Sequence, residues 1–175
     1  NRFVYGYGLS EGIVKEAMKN NPDVIITVDN GIASIDGVSF ARAKNIDVIV
    51  TDHHLQAEQL PEANFIINPN QRDCSFPSKN LCGAGVVFYL LLALRVVFRS
   101  KGEFKNTPEP NLLELIDLVC LGTVADLVPL DFNNRILVQY GMKKIRQNAC
   151  NYGIQAIAKL SNKSIASLKT SDLSF

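Results

Sequence analysis

With 175 residues, 18 basic against 17 acidic side chains and a net charge of +1, the chain has the size of one compact domain, or of a large domain with an appendage. A composition of 47% hydrophobic and 20% charged residues, with 11 Gly and 7 Pro, excludes disordered, low-complexity and fibrous classes. The near-zero charge excludes a broadly basic face, so a polyanion site here has to be a local patch.

Residues 10–20 begin with a serine at N-cap distance, place Ile13, Val14, Ala17 and Met18 at helical spacing, and end before Asn21-Pro22, which predicts an amphipathic helix. Asp23 to Asp29 is a short β-branched run between Pro22 and Asn30-Gly31, the pattern of a strand buried on both faces. A second helix over 33–44 and a second buried strand over 46–51 complete a β-α-β unit, and Phe65 to Asn68 makes a third short strand ended by Pro69. Strands alternating with such helices imply a parallel sheet.

From Leu81 onward the pattern turns helical, over 84–99, 111–121 and 133–148, with the most solvated stretch, 100–110, as a linker. Gly153 to Leu160 adds one more helical segment, and the tail from Ser161 is polar. The apolar run Val86 to Phe98 is shorter than a membrane span, which needs roughly 20 residues, and contains Arg95, so it reads as a buried central helix. Cys74, Cys82, Cys120 and Cys150 form no Cys-x-x-Cys pair or dense framework, and read as reduced thiols. The expected fold class is therefore α/β, a Rossmann-like parallel sheet followed by a mostly helical part.

In open parallel sheets ligands collect outside the carboxyl ends of the strands. Here the first strand runs into Asp29-Asn30-Gly31 and the second into Asp52-His53-His54, which contains the only two histidines of the chain. Carboxylates beside neutral imidazole form a ligand set suited to Mn²⁺ and related cations. The bland alternatives are that Asp29 and Asp52 cap the helices that follow, and that the histidines form a polar loop with one ring packed. Asp126, between a helical segment and Pro129, reads locally as an ordinary helix-end aspartate. Cys82-Gly83-Ala84-Gly85 could bring helix amides to an anion or allow close packing, and both readings stand. Gly6-Tyr7-Gly8 fits a dinucleotide loop poorly, a zinc site from Cys74, Cys82 and the histidines matches no common spacing, and no serine or cysteine nucleophile pattern is present.

Taken together, Val28-Asp29-Asn30-Gly31, Thr51-Asp52-His53-His54, Ile67-Asn68-Pro69-Asn70, Leu81 to Val86 and Gly122 to Leu130 resemble, in order and spacing, the DHH phosphoesterase superfamily and within it the RecJ-type single-stranded-DNA exonucleases. The likeness covers about residues 6–145, and Tyr7-Gly8-Leu9-Ser10 resembles the segment preceding the second family motif. It implies a metal-dependent phosphodiesterase that digests single-stranded DNA from the 5′ end in repair and recombination, with Mn²⁺ or Mg²⁺. Carried over by position, Asp29, His53 and Asp126 are metal ligands, while Asp52 and His54 complete the catalytic site, Asp52 orienting and His54 facing metal or phosphate.

One departure is informative: the family's Asp-x-Asp loop is not found, since no two aspartates here lie two positions apart. The resemblance then implies an internal fragment, in which 1–80 is part of a DHH-type α/β domain lacking its first strand and first motif. Residues 81–150 are the helical part of the same core, and 151–175 lead toward an absent C-terminal domain. The full two-metal site and measurable activity are expected only in the full-length protein, a cytoplasmic monomer acting on single-stranded DNA, without a membrane, and with a single-strand-binding protein as a partner. The alternatives are a DHH enzyme for short oligonucleotides, cyclic dinucleotides or pyrophosphate, and a degenerate, non-catalytic DHH binding module.

Overall fold

The computed structural model describes residues 2–174 and folds as two compact units, one up to Lys79 and one from Asn80 onward. In the first, α1 (Arg2–Tyr5) leads to α2 (Glu11–Met18), which starts where Ser10 accepts a hydrogen bond from the Ile13 amide. β1 (Val24–Val28), α3 (Ile35–Ala43), β2 (Asp47–Thr51) and β3 (Phe65–Ile67) follow. The strands form one parallel sheet in the order β1-β2-β3, with Val28 beside Thr51 and Thr51 beside Ile67, so all three chains leave the sheet at one end. The α/β class and the parallel order are those expected from the alternating pattern.

The core of this unit joins Val14 on α2, Val38 and Ala41 on α3, and Val48 and Val50 on β2, all fully buried, with Leu9 and Ile46 beside them. β1 departs from expectation. Val24, Ile26 and Val28 are exposed and only Thr27 is buried, because the core formed with α2 and α3 lies on the other face of the strand, where Ile25 packs. Its β-branched run records strand propensity, not burial on both sides.

The second unit contains α4 (Gly83–Lys101), a 3₁₀ turn over Leu112–Leu115 running into α5 (Ile116–Ala125), α6 (Phe132–Arg146) and α7 (Tyr152–Leu160). α5 and α6 pack closely at Gly141, where a Cβ would stand 2.2 Å from the Cβ of Cys120 and 2.6 Å from the Ile116 carbonyl. Cys120, Val124, Val138, Met142, Ile145, Cys150, Ile154, Ala158 and Leu168 form the core, so the segment after 151 folds back onto α5 and α6. Buried Asp117 ties these pieces together: Lys144 Nζ lies 3.0 Å from one oxygen and the Asn151 amide donates to the other at 2.6 Å. All four cysteines are free.

α4 corrects the expectation of a buried central helix. Val86 and Phe88 are buried, but Leu94, Val96, Val97 and Phe98 are exposed. At 19 residues it is long and apolar enough to cross a membrane, yet its first turns lie in the core of this unit. The small residues of its N-terminus explain that seating: a Cβ on Gly122 of α5 would come within 2.9 Å of the Ala84 Cβ. The Cys82 thiol caps the helix, accepting from the Gly85 amide and lying 3.5 Å from Thr123 Oγ1. Cys82-Gly83-Ala84-Gly85 thus serves close helix packing, and burial pushes the Cys82 thiol pKa up.

Candidate metal centre

Parallel register places the ends of β1 and β2 side by side, so Asp29 and the Asp52-His53-His54 segment emerge together. The Asp29 amide donates to the Thr51 carbonyl at 3.0 Å, one rung beyond the strands. Asp29 then adopts φ +64°, a left-handed conformation uncommon for a non-glycine residue, and the chain reverses through Asn30 and Gly31. Gly31, at φ +115°, is required there, because a Cβ would lie 2.5 Å from Thr27 Oγ1. Thr27 Oγ1 donates to the Asn30 carbonyl, and Thr51 Oγ1 donates to the Thr27 carbonyl, so two buried hydroxyls hold the turn.

Asp29 does not cap α3, whose N-cap is Ser34. Its carboxylate turns toward β2, with Oδ1 3.0 Å from His53 Nε2. One ligand atom each from Asp29, His53 and His54 lies within 4.8 Å of the others. The two imidazole centroids are 4.4 Å apart. His53 is half-buried, while Asp29 and His54 face solvent. A carboxylate oxygen and two imidazole nitrogens at this spacing suit a divalent transition cation.

Asp52 has a different task. It is 1% exposed and accepts from the Ile32 amide at 2.9 Å, the His53 amide at 2.8 Å and the His54 amide at 3.2 Å. Its Oδ1 also lies 2.6 Å from His54 Nδ1. Burial opposes its charge, but the Ile32 amide, the His54 ring and amide and the His53 amide outweigh that cost and hold its carboxyl below the usual range. Asp52 therefore orients the segment and fixes the proton of His54 at Nδ1, which leaves Nε2 as the ring atom with a lone pair to offer.

Asp126 belongs to the second unit. It is the exposed C-cap of α5, its amide donating to the Gly122 carbonyl, and it is followed by Leu127 in a left-handed conformation. A carboxylate there sits against the negative end of the helix dipole, a position that favours a cation partner. The loop after it is braced by buried Asn134, which donates to the carbonyls of Pro129 and Asn80.

Sequence reasoning gave no role to three further residues. Asn68 donates to the His54 carbonyl at 2.9 Å, Asn70 donates to the His53 carbonyl, and Asn68 Oδ1 receives the Asn70 amide. The asparagines that follow β3 thus collar the backbone of both histidines; their place at a third strand end was the available signal. Tyr7, before β1, donates its phenol to the Asp29 carbonyl at 2.6 Å and sets its ring edge-on to His54 at 6.4 Å. No sequence spacing points to that contact.

With this geometry established, the relatives are informative. Residues 4–123 match the family model described as DHH family, N-terminal domain. Over the whole chain, the sequence is 55% identical to the single-stranded-DNA-specific exonuclease RecJ of Escherichia coli and 35% identical to that of Bacillus subtilis, and it covers 31% and 20% of their lengths. A crystal structure of exonuclease RecJ bound to manganese superimposes with a TM-score of 0.78 at 31% identity, over 99% of this chain and 41% of that one. RecJ from Thermus thermophilus in complex with Mn²⁺ gives 0.71 at 30% identity, over 95% and 23%. The chain thus spans a third or less of the curated relatives it matches.

Proposed function

The chain belongs to the DHH family, and we propose that within its full-length protein it is part of the catalytic core of a metal-dependent 5′-to-3′ exonuclease of single-stranded DNA. The observation that carries this reading is the convergence of Asp29, His53 and His54 at two adjacent parallel strand ends, in a chain 55% identical to exonucleases so named.

Asp29 and His53 would hold the cation, with Mn²⁺ or Mg²⁺ as occupant. What divalent cations supply in such a site is neutralisation of the phosphodiester charge and activation of a water for attack. His54, its proton fixed at Nδ1 by Asp52, would offer Nε2 to the phosphate or to the metal. Asp52, enclosed by three amides, orients without touching substrate. A second cation needs more carboxylates than these residues supply. The chain alone would then be inactive, and the whole enzyme would work as a cytoplasmic monomer in DNA repair and recombination, with a single-strand-binding protein presenting its substrate.

The test is digestion by the full-length protein, in Mn²⁺, of 5′- and 3′-labelled oligonucleotides as single strands and duplexes. The reading requires single strands to be lost and the 5′ label to be released first as a short product. Activity confined to oligonucleotides of a few residues or to cyclic dinucleotides would favour the other DHH phosphoesterases, and binding without hydrolysis the non-catalytic module.

A further inference from the structure

Tyr7 is 58% exposed, so burial of its ring does not account for its position. The chain brings it to the sheet end through Gly6 at φ +78° and Gly8 at φ +81°, left-handed conformations on either side of the tyrosine. Immediately beyond, Leu9 is buried and its amide donates to Ser34 Oγ, which ties the loop to the start of α3. The phenol then donates to the carbonyl of Asp29, the residue in the left-handed conformation.

Asp29 is consequently held on both sides. Its amide is fixed by the Thr51 carbonyl of β2, and its carbonyl by Tyr7. The direction of the Asp29 side chain follows from its backbone angles. Were the residue to relax toward the extended region, its Cβ would swing and the 3.0 Å approach of Oδ1 to His53 would be lost. Sparsely populated backbone conformations persist where surroundings over-determine them, and Tyr7 is the restraint here that comes from outside the sheet and turn. We propose that Tyr7 is a positioning residue of the metal centre, holding Asp29 in its ligating conformation through the phenol–carbonyl bond. This rests on the reading of Asp29 as a metal ligand given above.

The test compares full-length wild type with Tyr7→Phe, which deletes one oxygen, and with Tyr5→Phe, which deletes a neighbouring phenol that donates to Glu16 on α2. Manganese binding is measured by titration calorimetry, stability by thermal unfolding, and single-strand digestion across a Mn²⁺ series. Tyr7→Phe should bind Mn²⁺ about 3- to 10-fold more weakly, the range that one neutral hydrogen bond supplies, with its unfolding temperature unchanged. Saturating Mn²⁺ should restore most of the turnover, and Tyr5→Phe should match wild type. A wild-type protein that binds no Mn²⁺ and digests no single strands would overturn the functional reading itself. Wild-type binding alongside an identical isotherm for Tyr7→Phe, or weakening only in step with a lower unfolding temperature, would overturn the role of Tyr7.

Discussion

Replacing Asp52 perturbs the metal centre without removing a ligand. The carboxylate is 1% exposed and receives three backbone amides and one ring nitrogen. Hydrogen bonds to a charged group contribute about 1.5–3 kcal/mol each, and an amide left without an acceptor costs about 1–3 kcal/mol. Because the four contacts share one side chain they do not add; Asp52→Ala should cost about 3–5 kcal/mol, as for other broken buried charge clusters. Asp52→Asn keeps one acceptor oxygen but faces an amide or the ring with a donor, and should cost about 2 kcal/mol. Hydrogen exchange of peptides spanning 29–35 and 50–56 in the full-length protein reads this locally. Protection should fall roughly 30-fold for Asn and at least 100-fold for Ala, since about 1.4 kcal/mol is a factor of ten. The folded Asp52 carboxyl lies below its ordinary range, so its stabilisation is present above that range and is lost as pH falls through the folded value. The gap between wild type and Asp52→Asn should therefore narrow toward acid, after correction for intrinsic exchange. Unchanged protection at pH 7, or a gap that widens toward acid, would refute the reasoning.

His53→Ala removes a ring whose charged neighbour is Asp29, so in the full-length protein turnover on single-stranded DNA should fall at least ~100-fold while the circular dichroism spectrum and unfolding temperature hold. Asp117→Ala strips the partner of Lys144 and of the Asn151 amide, and should destabilise the helical unit by about 3 kcal/mol, read as faster exchange in peptides over 112–125 and 144–156. Gly141→Ala drives a methyl to 2.2 Å from the Cys120 Cβ; it should cost about 1–3 kcal/mol or more, measured as a lower urea midpoint.

The sheet was legible because β-branched runs bounded by Pro, Asn and Gly leave few alternatives to strands, and Val24–Val28, Asp47–Thr51 and Phe65–Ile67 lie within or beside the expected ranges. How much of each strand and helix is buried was not legible. Val24 and Ile26 on β1, and Val96 and Phe98 on α4, have the chemistry of core residues and are exposed, because burial depends on which layer lies opposite. Asp29, His53 and His54 could be found from strand-end acids and a histidine pair. The division of labour between Asp52 and His54 came from the family resemblance and not from the local pattern, since it depends on which carboxylate the Ile32 amide reaches across twenty positions. Tyr7, Asn68 and Asn70 act through main-chain carbonyls, which carry no residue signature at the receiving end.

The proposed function requires that Asp29 and His53 hold one divalent cation. Anomalous diffraction at the manganese edge from crystals of the full-length protein soaked in Mn²⁺ tests it most directly. A peak should appear with Asp29 and His53 both at about 2.0–2.3 Å, weakened or lost in His53→Ala. No peak at these two residues, or a peak bonded to neither of them, would contradict it.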